Sequence, residues 1–410
     1  MIVKPPVLIA EYSDRNGRLG YTTSNPAVAA FARRNASSAA PPAEDRWYLV
    51  FGSGPTSLSS ATSNQDGFLF GIDLKRLLMS SIPVADTLIY NGPYDLGSGP
   101  ASGAPLSLVG DPVAVDWDLN FRADALYFGI ASGSTAAPTG KLFKLDFNLA
   151  ALADNEGNDP SGWRTPAVLL DTRRPLLAAP SLTQDRSGRR WVLSGTGRFL
   201  APGDKTSSTE QALFGLIDNA PASASPAFAN LIDTSSAVVT PSGAVTGVSG
   251  ASSELQLIDT VATAGGWRYT LNASPTTAAE RSINRTALID GLLFASSYTP
   301  SASLCSGDGN SRLFGFNYLT GAPRAQRPAF GIQRVTVSNA EIDSSAGIFD
   351  LGLGLGSAPS LHVDDSDGSG LSVVTVNVQT SRGSVVQQDV RVSGGIRSGE
   401  IDWRQTHRNP

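Results

Sequence analysis

Ala179-Pro180-Ser181-Leu182, Trp191-Val192-Leu193-Ser194-Gly195-Thr196-Gly197 and Leu213-Phe214-Gly215-Leu216-Ile217-Asp218 are three short apolar runs in succession, each closed by turn-forming residues. Apolar runs of four to eight residues bounded by Gly, Pro, Asn or Asp read as strands. All three runs recur along the chain. The proline-led run returns as Asn25-Pro26-Ala27-Val28, Asp111-Pro112-Val113-Ala114 and Ala358-Pro359-Ser360-Leu361, and without its proline as Thr286-Ala287-Leu288-Ile289. The second run is matched by Trp47-Tyr48-Leu49-Val50-Phe51-Gly52-Ser53-Gly54 and by Leu126-Tyr127-Phe128-Gly129. The third has counterparts in Leu69-Phe70-Gly71-Ile72-Asp73, Leu142-Phe143-Lys144-Leu145-Asp146 and Leu313-Phe314-Gly315-Phe316-Asn317.

A unit of three consecutive up-and-down strands cannot bury both of its faces alone. Radial repetition solves this and leaves only short, protected edges. The expected fold is therefore all-β, a β-propeller. The proline strands are unevenly spaced, 86 residues from Pro26 to Pro112 and 68 from Pro112 to Pro180. The excess falls in Ser/Gly/Ala-rich insertions at about 90–107 and 219–254, expected to lie on the surface because they can bury little. The second is expected to hide a divergent unit around Gly266-Trp267-Arg268-Tyr269-Thr270-Leu271. Six units are counted, and residues near the two termini can close a seventh. A seven-bladed propeller is expected, six blades being the alternative, as one domain over residues 1–410. Helix is confined to short segments such as Asp73–Met79.

Composition sets limits on function. Among 410 residues, 31 Lys and Arg against 36 Asp and Glu give a net charge of −5 with no basic cluster. That argues against a nucleic-acid footprint and a polybasic membrane patch. No apolar run reaches the roughly 18 residues of a membrane span. Cys305 stands alone, so no internal disulfide forms. Met1-Ile2-Val3-Lys4-Pro5-Pro6 does not read as a signal peptide, leaving a cytosolic chain or a domain excised from a longer secreted protein.

One loop carries metal chemistry. Asp116-Trp117-Asp118-Leu119-Asn120-Phe121-Arg122-Ala123-Asp124 puts side-chain oxygens at positions 1, 3, 5 and 9 between two apolar runs. Hard cations take six to eight oxygen ligands. A carbonyl near Arg122 can add a backbone oxygen. The competing reading is an Asp/Asn-rich hairpin turn. The corresponding hairpin of the third unit, Asp185-Arg186-Ser187-Gly188, is an ordinary tight turn, and the nonapeptide is longer and more acidic than such a turn requires.

These stretches together resemble a known family, the C-terminal β-propeller domain of PilY/PilC-type type IV pilus tip adhesins. The matching segments are Trp47–Thr56 (WYLVFGSGPT), Asp111–Phe128 with its acidic nonapeptide, Gly140–Asp146 (GKLFKLD), Trp191–Thr206 (WVLSGTGRFLAPGDKT) with the following STEQALFGL, and Ile283–Pro323, collinear over most of the chain. The resemblance implies the C-terminal part of a large secreted protein at the pilus tip and outer cell surface, acting in pilus biogenesis, adhesion and twitching motility. It implies partners among the minor pilins and a host or abiotic surface receptor. It also implies Ca²⁺ on the nonapeptide, held by Asp116, Asp118, Asn120 and Asp124 with the carbonyl of Arg122, and regulating pilus extension and retraction. The chain departs from the better-known loops in having Phe121 where they have glycine, and Asn120 where they have an acid.

Other motifs are weaker. Asp364-Asp365-Ser366-Asp367-Gly368-Ser369-Gly370 reads as a turn. A nucleophilic Cys305 needs a base, and the chain offers only His362 and His407. Gly52-Ser53-Gly54 and Gly195-Thr196-Gly197 lack the Lys-Ser/Thr of a phosphate loop and read as strand ends. No catalytic set emerges, so a non-enzymatic chain is expected. The alternatives are a quinoprotein-like propeller enzyme, suggested by Leu313–Gly321, and a purely structural scaffold.

Overall fold

A computed structural model of the protein describes residues 11–14, 16–31, 46–74, 77, 94–95, 106–146, 166–219, 227–272, 278–301, 309–364 and 371–393. The first sheet runs in order through β1 (Ala27–Phe31), β2 (Arg46–Gly52), β3 (Phe68–Asp73) and β4 (Tyr94–Asp95). The second contains β5 (Ser107–Val109), β6 (Val113–Val115), β7 (Ala125–Gly133), β8 (Pro138–Thr139), β9 (Leu142–Asp146) and β10 (Ala167–Leu170), with β7 pairing β5, β6, β8 and β9. The third begins with β11 (Ser181–Gln184), β12 (Arg190–Gly195) and β13 (Ala212–Ile217). After β13 come β14 (Ile232–Asp233), the hairpin of β15 (Val238–Val239) and β16 (Val245–Thr246), and helix α1 (Glu254–Ala264). Strand β17 (Gly266–Thr270) then pairs with β13 and with β14. The fourth sheet is β18 (Ala287–Ile289), β19 (Leu292–Thr299) and β20 (Asn310–Asn317), then, past the hairpin of β21 (Ile332–Val337) and β22 (Ala340–Ser345), β23 (Ile348–Leu353). The fifth is β24 (Ser360–Asp364), β25 (Leu371–Gln379) and β26 (Val385–Ser393).

The sheets stack face to face, and side-chain alternation along a strand explains how. In β7, Leu126 and Phe128 join the core shared with the first sheet. Their neighbours Ala125 and Tyr127 join the core shared with the third. In β20, Phe314 and Phe316 pack with Trp191 and Trp267 of the third sheet, whereas Leu313 packs with Val374 and Val376 of the fifth. Strands buried on both faces read as continuous apolar runs, which is why these segments lack polar alternation. Helix α1 follows local rules. The Ser253 hydroxyl accepts from the Gln256 amide at 3.3 Å, Gly265 ends the helix at φ 83°, and Leu257 and Val261, one turn apart, face the core.

The propeller architecture stands, but the described residues form five blade-like sheets and do not confirm seven blades or six. The five copies of the proline-led run are the first strands of four of the sheets and, in the second, β6, which follows β5. The unit expected around Gly266–Leu271 is instead β17, an added strand of the third sheet. Nor is the 219–254 insertion a loose surface loop over its described part. Phe228, Leu231, Val239 and Val245 are buried there, and Val239 and Val245 belong to the core between the third and fourth sheets. The 90–107 insertion, the Asp73–Met79 helix, Asp365–Gly370, Cys305 and His407 lie largely or wholly outside the described residues. His362 lies on β24, as expected, and among the described residues no helix is long and apolar enough to cross a membrane.

Burial leaves an alkaline signature. It pushes the Tyr12 and Tyr318 hydroxyls up to about 12. It also raises Tyr127, whose hydroxyl donates to Asp218 Oδ2 at 2.7 Å. A phenol with a raised folded pKa contributes stability that is complete below its unfolded value near 10 and is lost as pH climbs toward the folded value. The protein is expected to unfold between about pH 10 and 12. Tyrosinate absorbance and the loss of ellipticity should then coincide.

Candidate metal centre

The nonapeptide loop joins β6 to β7, the antiparallel pair in which Val115 faces Ala125. The Asp124 amide donates to the Val115 carbonyl at 2.7 Å and closes the hairpin. The Ala123 amide donates to the Ala30 carbonyl at 2.7 Å, fixing the loop against the first sheet. Backbone donors turn the acids inward. Asp116 accepts from the Asn120 amide at 3.1 Å and the Phe121 amide at 2.5 Å, one on each oxygen. Asp118 accepts from the Asn120 amide at 3.2 Å and the Asn120 side-chain amide at 2.8 Å. Asn120 Oδ1 accepts from the Arg122 amide at 2.9 Å, and Asp124 Oδ2 from the Trp117 amide at 2.6 Å.

Asp116, Asp118 and Asp124 thereby bring one carboxylate oxygen each to within 4.8 Å of one another. Three like charges at such separations repel by roughly 1 kcal/mol per pair even at the dielectric of bulk water. A cation of charge +2 removes that cost. The donors gathered here are all oxygens, with no imidazole or thiolate, so the set fits a hard cation and does not suit zinc. Asn120 adjoins the acids through its bond to Asp118, and Arg122 lies beside them in the loop.

The loop achieves this at a backbone cost. Leu119 and Phe121 adopt φ of 58° and 68°, where residues other than glycine are disfavoured by roughly 1–2 kcal/mol. Phe121 is thus forced into the conformation for which the better-known loops use glycine. Its side chain is 71% exposed and walls a groove of about 430 Å³ between the first two sheets, with Val28, Ala29, Ala30, Trp47 and Ala114. Sequence reading had no signal for this groove, because its two walls lie on different units. Trp117 is turned away from the acids, edge-on to Tyr127 with centroids 6.4 Å apart and beneath the Arg190 guanidinium at 5.3 Å. The hairpin Asp185–Gly188 is the tight turn expected, with the Gly188 amide donating to the Asp185 carbonyl at 3.0 Å.

No protein-family model matches the chain. No curated protein matches it either. Among solved structures, the C-terminal domain of Pseudomonas aeruginosa PilY1 is similar over 92% of this chain and 73% of its own, with a TM-score of 0.53 and 17% identity. The two share a fold, as the sequence resemblance implies. Cellvibrio cellulosa α-L-arabinanase and the endo-arabinanase of Bacillus licheniformis match over 91% and 90% of this chain at 10% and 12% identity, with TM-scores of 0.30. The expectation of a non-enzymatic chain is corrected by these neighbours, which are glycoside hydrolases, although such TM-scores assign no activity here.

Proposed function

We propose that this chain is a cation-binding propeller domain of a type IV pilus-associated surface protein, a single domain belonging to the C-terminal part of a longer secreted chain. On this reading, Ca²⁺ on Asp116, Asp118, Asn120, Asp124 and the Arg122 carbonyl tunes pilus extension and retraction, and the surface around the loop serves attachment. The observation that carries the reading is the convergence of three carboxylates on one hairpin, in a chain whose fold matches the C-terminal domain of PilY1. Ca²⁺ suits the loop better than Mg²⁺, which demands near-ideal octahedral geometry. Minor pilins at the pilus tip are the proposed partners, with an extracellular location following from them.

The test is genetic. In a pilus-bearing strain that makes the full-length protein, Asp124→Ala is expected to change surface piliation or twitching while the protein stays abundant and folded. The loop carboxylates lie outside the packed cores, so the substitution should leave the stacked sheets in place. Unchanged piliation and twitching with normal protein levels would refute the regulatory role.

A further inference from the structure

Among the described residues each sheet shares a hydrophobic core only with its neighbours, and stability in such a stack is a sum of local and nearest-neighbour terms. One segment breaks that rule. Residues 197–207, between β12 and β13, contain Arg198 and Asp204, 3% and 0% exposed, with Arg198 Nε 2.8 Å from Asp204 Oδ1. The other Asp204 oxygen accepts from the Leu200 and Ala201 amides at 2.8 and 2.9 Å, winding the chain into the 3-10 turn Pro202–Thr206.

Arg281, 3% exposed, enters this turn from the connection between β17 and β18. Its guanidinium donates to the carbonyls of Arg198 at 3.2 Å, Asp204 at 2.6 Å, Ser207 at 3.0 Å and Ala279 at 3.0 Å. A buried charge is tolerated only with its donors satisfied, and the segment is wrapped to satisfy this one. The Arg281 backbone pairs in both directions with Tyr298 at the end of β19, and the Phe199 ring meets the Tyr298 ring edge-on at 5.2 Å. Arg198 Nη2 reaches the Ser60 carbonyl at 2.8 Å, in the loop after β2. Gly203 lies against Thr135, in the loop after β7, where an added Cβ would come within 3.1 Å of the hydroxyl oxygen. Among the described residues the first and fourth sheets share no hydrophobic core, yet both are bound to this segment.

We propose that residues 197–207 form a clasp that ties the first four sheets into one cooperative unit, so that the first sheet cannot open without breaking the bond from Arg198, itself held by Asp204, to the Ser60 carbonyl. Hydrogen exchange of the whole chain, resolved by peptide, tests this. In the double variant Arg198→Met/Asp204→Asn, which removes the bond to Ser60 together with the pair while Arg281 keeps its carbonyl acceptors, amides of β2 and β3 should exchange at least about tenfold faster. That corresponds to about 1.4 kcal/mol of lost protection. Amides of β25 and β26, outside the clasp, should keep wild-type rates. Unchanged β2 and β3, or an equal acceleration in β25 and β26, would overturn the proposal. Should the variant not fold, wild-type exchange in rising guanidinium decides. The clasp requires β2, β3 and β19 to merge into one opening, and a separate, lower-energy opening of β2 and β3 overturns it.

Discussion

Trp267→Ala is expected to cost about 3–5 kcal/mol, the range for emptying a buried tryptophan site, and to lower the guanidinium midpoint sharply with little change in slope. Trp267 is 0% exposed at the start of β17. Its indole nitrogen donates to the Tyr318 carbonyl at 2.7 Å, linking the third sheet to the fourth. The ring sits between two glycines. A Cβ on Gly215 would come within 2.4 Å of the indole nitrogen, and one on Gly321 within 2.1 Å of Cε3. The glycines themselves offer no side chain to refill the space left by alanine, so a large cavity cost is expected. Gly321→Ala should also destabilise, because it drives a methyl into the ring and Gly321 holds φ 65°. A small effect of Trp267→Ala would mean that β17 is not an integral strand of the third sheet.

Glu280→Ala is expected to cost about 3–5 kcal/mol, as breaking a buried ion pair does. Glu280 is 1% exposed and accepts from Arg312, from the Ser297 hydroxyl and from the Asn272 amide at 3.0 Å. Alanine strands all three donors and leaves the Arg312 guanidinium without its partner. Replacing both charges together, as Glu280→Leu/Arg312→Met, removes that lone charge and should recover much of the loss. Denaturation of the two single variants and the double variant supplies the comparison. Equal damage in single and double variants would show that burial of Glu280, rather than its pairing, sets the effect.

Local signals were legible in the sequence, and long-range ones were not. Pro26, Pro112, Pro180, Ala287 and Pro359 each mark a short strand that pairs antiparallel with the next strand of its sheet. Gly266–Leu271 is an apolar run indistinguishable from a new unit until its pairing with Ala212–Leu216, fifty or more residues earlier, is seen. The insertion that looked loose packs through Val239 and Val245, too few apolar residues to register against their Ser, Gly and Ala neighbours. The acidic loop was readable because all its members fall within nine residues. Its groove was not, since Trp47 and Phe121 meet only through the stacking of two sheets. Arg198, Asp204 and Arg281 were equally hidden, their contacts spanning up to 138 residues.

Calcium titration of the purified protein by calorimetry tests the central claim most directly, with Asp124→Ala alongside. The wild type should bind one Ca²⁺ and, at about 100-fold excess over the dissociation constant, gain about 2.7 kcal/mol of stability. Asp124→Ala should lose both the heat and the gain while still unfolding cooperatively without calcium, since the loop carboxylates lie outside the packed cores. Absence of heat and of any stability gain in the wild type at millimolar Ca²⁺ would contradict the account and reduce Asp116–Asp124 to a hairpin turn.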